Sequence, residues 1–399
     1  MDNDLLLNIS VFLVLIISLI IGYSIVPRIV LISKKKGLFD FVNERKSHTT
    51  QVSRLGGVSF FPAVLFSISF VVALRYCINL PIAENIASTV LVEMLFLMCG
   101  SICLYFIGMA DDLVGVSYKY KLAAQVLAVN LMMASGVYLN NLHGFLGINA
   151  IPFYFSYPLT LIVSLFIINS INLIDGVDGL ASGLSSVALV SLGSWYLFKD
   201  LYIYAMIAFG MIGVIIPFFY FNVFSKRIKI FMGDTGSLLL GFIISFLSIK
   251  FCMLTISEPL YRFADAPIFI LAILFIPIFD AFRVFAERML QGKSPFYPDK
   301  SHIHHKFLAL GFSHRQTMTT IVAIAVAFAI LNTILVRYLN INVMFFIDIS
   351  LGFFMIYVLH RIKESREESL EKYNEELVEV SDINFNGNKI RKKEFDEVK

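Results

Sequence analysis

The sequence predicts an all-α, polytopic integral membrane protein, and three observations carry that prediction. Of its 399 residues, 58% are hydrophobic and only 15% are charged, with a mean hydropathy of +0.80. No water-soluble domain of this length needs so much apolar surface. The apolar residues gather into eleven runs of bilayer-crossing length, near 5–26, 57–75, 88–108, 121–140, 152–171, 180–198, 201–221, 236–256, 266–287, 317–337 and 342–360. Third, the connections between these runs alternate between basic and nearly uncharged.

The first run, 5–26, is too long for a cleaved signal peptide. It also lacks a basic start and a small-residue cleavage site, so it reads as a retained span. The connection after it, 27–56, holds Lys34, Lys35, Lys36, Arg45, Lys46 and Arg54. The connections 109–120, 172–179, 222–235 and 288–316 belong to the same class and hold Lys119, Lys226, Arg227, Lys229, Lys293 and Lys300. The intervening connections 76–87, 141–151, 199–200, 257–265 and 338–341 are nearly free of Lys and Arg. The positive-inside rule then places the first class in the cytoplasm, the N-terminus outside and the C-terminus inside. The net charge of +3 says little beside that distribution. Residues 1–360 read as one transmembrane domain. The mixed-sign segment 361–399 reads as a short helix running into a partly disordered cytoplasmic tail. Cys99, Cys103 and Cys252 lie inside apolar runs and Cys77 has no evident partner, so no disulfide framework is expected.

Every chemically suggestive motif falls in a cytoplasmic connection. "GMADDLVGVSYKYKLAAQ" (108–125) sets Asp111 beside Asp112 at the end of one span, with Lys119, Lys121 and Gln125 opening the next. Adjacent carboxylates raise one another's pKa or demand a cation, which suits a general base or a metal-linked site. "NSINLIDGVDGLASG" (169–183) offers Asn169, Asn172, Asp175 and Asp178 in a glycine-punctuated turn. Their hard oxygens suit Mg²⁺ or the hydrogen bonds of a ribose or base, and Asp178 is also placed to N-cap the span that follows. "FMGDTGSLLLG" (231–241) puts Asp234 at the start of a helix whose free N–H groups favour phosphate. Asp234 there can hold a divalent cation, and Phe231 can stack on a base.

"SPFYPDKSHIHHKFLALGFSHRQT" (294–317) concentrates His302, His304, His305 and His314 with Lys300, Lys306 and Arg315. The spacing fits neither a helical zinc pair nor a finger, and a loop facing a pyrophosphate suits it better. Gly311 reads as a C-cap there, and Ser313 with Gln316 as a capping box. The basic loop "NERKSHTTQVSRLGG" (43–57), with His48 and Arg54, reads chiefly as an anchor, with Arg54 in reach of substrate. Asp280 and Arg283 are expected to pair with each other or to line the cavity mouth.

In this order the motifs resemble the polyprenyl-phosphate N-acetylhexosamine-1-phosphate transferases, the MraY, WecA and TagO group. The resemblance covers roughly residues 5–338: a DD pair with K-x-K-x-x-x-Q, then N-x-x-N-x-x-D-G-x-D-G-L, F-M-G-D-x-G-S, and H-I-H-H. The last loop looks like the WecA/TagO branch that uses UDP-N-acetylglucosamine. The resemblance implies transfer of N-acetylglucosamine-1-phosphate, or a close N-acetylhexosamine-1-phosphate, from the UDP-sugar to undecaprenyl phosphate. UMP is released and cell-surface polysaccharide synthesis begins.

Carried over by motif, Asp234 resembles the Mg²⁺-binding residue (Mn²⁺ being able to substitute) and Asn172 a second ligand. Phe231 resembles the residue stacking on uracil, Asp178 one near the uridine, and Asp111 the base beside Asp112. Lys121 and Lys119 would neutralise phosphate, and His302, His304 and His305 would line the sugar-pyrophosphate end. Asp175 and Arg54 are further substrate-binding candidates without a defined partner. The implied setting is the bacterial cytoplasmic (inner) membrane, with the active site facing the cytoplasm, membrane lipid as a partner, no nucleic acid and a homodimer left open.

A transporter or flippase of nucleotide sugars or lipid-linked sugars is the alternative. Transporters, however, often bind at mid-membrane with repeat symmetry, whereas these motifs sit at one interface and no repeat is visible. The signature D-G-x-x-A-R of CDP-alcohol phosphotransferases is absent.

Overall fold

The computed structural model of the protein describes residues 3–38, 52–80, 88–257, 266–294 and 301–397. It is a helical bundle. The order begins with α1 (Asn3–Lys36), a 3₁₀ turn (Leu55–Ser59), α2 (Phe60–Cys77), α3 (Ser88–Val114) and α4 (Tyr118–Ala134). A small hairpin, β1 (Asn141–Phe145) with β2 (Ile148–Ala150), leads to α5 (Phe153–Ile174), α6 (Leu180–Phe198) and α7 (Tyr202–Phe219). The last group is α8 (Gly233–Ser257), α9 (Ala266–Ile273), α10 (Phe275–Leu290), α11 (Ile303–Ala309), α12 (His314–Leu335) and α13 (Ile341–Glu397). Among the described residues, nine helices are long and apolar enough to cross a membrane, and α9 with α10 forms one further bent pair.

Burial sorts the helices into layers. The most apolar stretches of α7 and α8 are 78% and 89% buried, so these two form the centre, while α3, α12 and α13 are 28%, 28% and 22% buried and face outward. A helix apolar all round is stable only in such a centre or in lipid, and this chain uses both. One charge pair lies between the central helices: Lys250 Nζ of α8 donates to Glu93 Oε1 of α3 at 2.7 Å, and the Tyr204 hydroxyl of α7 donates to Glu93 Oε2 at 2.6 Å. Unpaired, either charge would oppose insertion.

Three expectations are corrected. The run 121–140 is helical only to Ala134, because Gly136 turns the chain at φ 92°, and the hairpin at 141–150 follows where a plain loop was expected. The run 266–287 is not one straight span: α9 and α10 meet at 80°. Pro277 explains the break, since it cannot donate to the Ile273 carbonyl and its ring crowds that carbonyl. Finally, Asp178 does not cap α6. Gly179 holds the N-cap position at φ 78°, without a side-chain cap bond.

Two smaller expectations are met. Ser313 and Gln316 form a reciprocal capping box on α12, and Gly311 follows α11 at φ 82°. Cys77, Cys99, Cys103 and Cys252 are all free thiols.

Candidate active site

The motif-bearing ends of α3, α4, α5, α8, α10 and α11 converge at one end of the bundle, around the N-terminus of α8. That terminus is pinned from two sides. Phe231 N donates to the Ser53 carbonyl at 2.8 Å, and Gly56 N and Gly57 N donate to the Phe231 and Met232 carbonyls at 2.9 and 2.8 Å. Gly57 and Gly236 lie so close that a Cβ on Gly57 would meet the Gly236 backbone, so the two glycines are what allow this approach.

On the other side, Asp112 accepts from Asp234 N (2.8 Å), Thr235 N (3.0 Å) and Thr235 Oγ1 (2.6 Å). A carboxylate at a helix N-terminus satisfies orphan N–H groups and complements the dipole. The sequence paired Asp111 with Asp112, but the structure separates their tasks. Asp112 holds α8, while Asp111 accepts from Val116 N at 2.8 Å through Oδ1 and faces Lys121.

Lys121 Nζ lies 2.7 Å from Asp234 Oδ2 and 3.3 Å from Asp111 Oδ1. Asn172 Nδ2 reaches Asp234 Oδ1 at 3.2 Å and Ser237 Oγ at 2.8 Å. Asp111, Asp112 and Asp234 each offer a carboxylate oxygen within 4.8 Å of the others. Three hard anionic donors at that separation fit a small divalent cation. Asn172 presents its amide nitrogen in this arrangement and so orients Asp234, and a half-turn of the amide would bring its oxygen to the same place.

A cavity of about 430 Å³ opens beside this cluster, lined by Lys121, Asn172, Asp175, Asp234, Arg288 and the three histidines His302, His304 and His305. Asp175 stands in its wall. Burial, reinforced by the charges of Asp234, Asp112 and Asp178 and opposed by Arg54, pushes its carboxyl up to about 7. His304 is 1% exposed and packs on Gly176, where a Cβ would collide with the ring. Burial, together with the neighbouring His305, pushes its imidazole down to about 3, so His304 is neutral. Its Nδ1 has no hydrogen-bond partner among the described residues, which leaves a polar atom for a ligand to satisfy.

Asp178 and Phe231 lie together at the opposite side of the turn. Lys229 Nζ donates to Asp178 Oδ2 at 2.6 Å and sits 5.6 Å from the Phe231 ring centroid. Asn222 supports them: its Oδ1 accepts from Gly179 N at 2.6 Å and its Nδ2 donates to the Ile230 carbonyl at 2.7 Å.

Most of the residues singled out in the sequence are thus brought together. Lys119 is exposed and outside the cavity lining, and Lys306, His314 and Arg315 are outside that lining too. Arg45, Lys46, His48 and Lys300 lie outside the described residues. Arg288 and Asn222 were not foreseen as site residues, and Thr235, whose N–H was expected to be free for phosphate at the start of α8, gives it to Asp112 instead. Arg288 is 4% exposed and lines the cavity although it closes a membrane helix. Asp280 and Arg283 do pair, Arg283 Nη2 donating to Asp280 Oδ1 at 2.7 Å.

Residues 94–252 match the model of glycosyl transferase family 4. The chain is 33% identical over 302 residues to an undecaprenyl-phosphate alpha-N-acetylglucosaminyl 1-phosphate transferase of Escherichia coli (strain K12), covering 75% of this chain and 76% of the relative. A protein of the same description from Yersinia pestis is 32% identical over 333 residues, 82% of this chain and 85% of the relative. A probable undecaprenyl-phosphate N-acetylglucosaminyl 1-phosphate transferase of Bacillus subtilis (strain 168) is 30% identical over 366 residues, 89% of this chain and 92% of the relative.

Proposed function

Because the chain belongs to the polyprenyl-phosphate hexosamine-1-phosphate transferase family, we propose that it transfers N-acetylglucosamine-1-phosphate from UDP-N-acetylglucosamine to undecaprenyl phosphate, releasing UMP. The observation that carries this reading is the arrangement around Asp234. One carboxylate is met by a lysine, an amide and two further carboxylates at the end of a membrane bundle, beside a cavity lined with cations and histidines.

The chemistry follows from charge. An oxygen of the lipid phosphate attacks the β-phosphorus of the UDP-sugar, the bond from that phosphorus to the bridging oxygen breaks, and UMP leaves with the bridging oxygen. Two anions must therefore be brought together and aligned. Lys121 and Arg288 supply positive charge to the phosphates in the cavity. Asp111, whose contacts with Val116 N and Lys121 both fall on Oδ1, accepts the proton of the incoming lipid phosphate on Oδ2. Phe231 stacks on the uracil and Asp178 bonds the uridine, while Lys229 steadies both. Asp234, with Asp111, Asp112 and Asn172 around it, would hold Mg²⁺ or Mn²⁺, which when bound screens the pyrophosphate charge.

An apolar cleft of about 160 Å³, lined by Phe166, Phe279, Phe282 and Phe345 among others, supports a lipid acceptor. Phe285, which lines the polar cavity, has its ring centroid 6.0 Å from that of Phe166, which lines the cleft. The density of Lys and Arg in the motif-bearing connections supports an active site on the cytoplasmic face of the inner membrane. Purified enzyme given undecaprenyl phosphate, Mg²⁺ and a panel of UDP-sugars tests the donor assignment. UDP-N-acetylglucosamine is expected to be the best donor, and a preference for another sugar would overturn it.

A further inference from the structure

We propose that Asp280 is a positioning residue for the donor: it fixes the tautomer of His302 so that Nε2 meets the N-acetylhexosamine as a hydrogen-bond acceptor. The proposal rests on the transferase reading of the same cavity and names a specificity element within it.

Asp280, on α10, is 1% exposed and His302 is 6% exposed. Asp280 Oδ2 lies 2.8 Å from His302 Nδ1. Its Oδ1 accepts from Ile303 N at 3.0 Å and from Arg283 Nη2 at 2.7 Å, and the same Nη2 donates to the Ser301 carbonyl at 2.7 Å. One carboxylate and its arginine therefore anchor three consecutive residues of the histidine loop. An ionised carboxylate can only accept, so Nδ1 of His302 must carry the proton. In the neutral imidazole that leaves the lone pair on Nε2, the one ring nitrogen not committed to Asp280.

The ring has little freedom to turn. It lies parallel to the His304 ring, 5.8 Å between centroids and 3° between planes. His304 is itself seated on Gly176.

An acceptor nitrogen in this place discriminates between the parts of the donor. A phosphate oxygen has no hydrogen to give it, whereas a sugar hydroxyl or an acetamido N–H does. Of the groups that line the cavity with it, Asp234 already accepts from Lys121 and Asn172, and Lys121 and Arg288 are cations. His302 is thus suited to the sugar, and the cations to the pyrophosphate.

The test measures the affinities of the full-length enzyme in detergent for UDP-N-acetylglucosamine and for UMP, which lacks the sugar. D280N places an amide donor against Nδ1 and drives the proton to Nε2. It is expected to weaken UDP-N-acetylglucosamine about tenfold while leaving UMP within about twofold. Arg283 also pairs with Glu287, at 2.6 Å, a partner that D280N does not remove.

H302Q and H302N give a second measurement that does not depend on how D280N folds. Glutamine carries its amide to the place of Nε2 and asparagine to the place of Nδ1, so H302Q is expected to hold the UDP-sugar more tightly than H302N. Equal or reversed affinities for these two, or a D280N enzyme that loses UMP as much as UDP-N-acetylglucosamine, would overturn the proposal. Turnover of the wild-type enzyme separately decides the transferase reading, since the affinity ratios stand without it.

Discussion

The ammonium of Lys121 bridges two carboxylates from different helices, lying 2.7 Å from Asp234 Oδ2 and 3.3 Å from Asp111 Oδ1. A divalent cation held by Asp234 and Asp111 would share the same oxygens. Lysine and metal would therefore compete for Asp234. Lys121→Met is expected to lower turnover by roughly a hundredfold or more while leaving Mg²⁺ affinity unchanged or tighter. Steady-state kinetics and a magnesium titration followed by protein melting separate the two effects. A variant that loses Mg²⁺ binding would show that Lys121 builds the metal site instead of competing with it.

Asp234→Asn removes the carboxylate around which the cluster is organised. Turnover dependent on Mg²⁺ is expected to disappear. The protein should remain folded in membranes, since the backbone N–H groups of Asp234 and Thr235 still meet Asp112. Near-normal activity would take Asp234 out of the metal site.

Phe231→Ala leaves intact the backbone bonds that pin residue 231 and removes only the ring. Uridine nucleotides are expected to bind about tenfold more weakly, a loss of the size of one aromatic stack, with the affinity for undecaprenyl phosphate unchanged. Calorimetry with UDP checks it, and an unaltered UDP affinity would sink the stacking role.

Asp175 gives a pH signature. Its carboxyl ordinarily titrates at 3.8 and is pushed up to about 7 in the folded protein, first by burial and then by the acidic residues around it. Between those values the native state holds a proton that the unfolded chain has lost, so stability falls as pH rises and levels off above about 7. Asp175→Asn abolishes that loss. Measured without divalent cation, its melting temperature should exceed wild type by a margin that grows from about pH 5 to about pH 8, by roughly a few degrees. A margin independent of pH would show that Asp175 does not titrate in this range.

The spans were legible because hydrocarbon demands long apolar runs, and the order of the motifs placed the site at one end of them. What hydropathy could not report was local geometry. Pro277 sits in an apolar run and still breaks it into α9 and α10, and Gly136 ends α4 six residues early. The carboxylates were legible as a group, but their division of labour was not. Asp112 finds Thr235 more than a hundred residues away, and Asp178 finds Lys229 instead of the helix end beside it. Arg288 went unrecognised because a cation closing a membrane helix looks the same in sequence whether it turns outward or into the cavity.

The most direct measurement is the phosphorus content of the two products when the purified enzyme is given UDP-N-acetylglucosamine, undecaprenyl phosphate and Mg²⁺. Attack on the β-phosphorus predicts free UMP and a lipid whose mass shows a pyrophosphate link to the sugar, with neither formed when the cation is chelated. Release of UDP with a lipid carrying a single phosphate, or passage of the intact nucleotide sugar into vesicles without UMP, would contradict it.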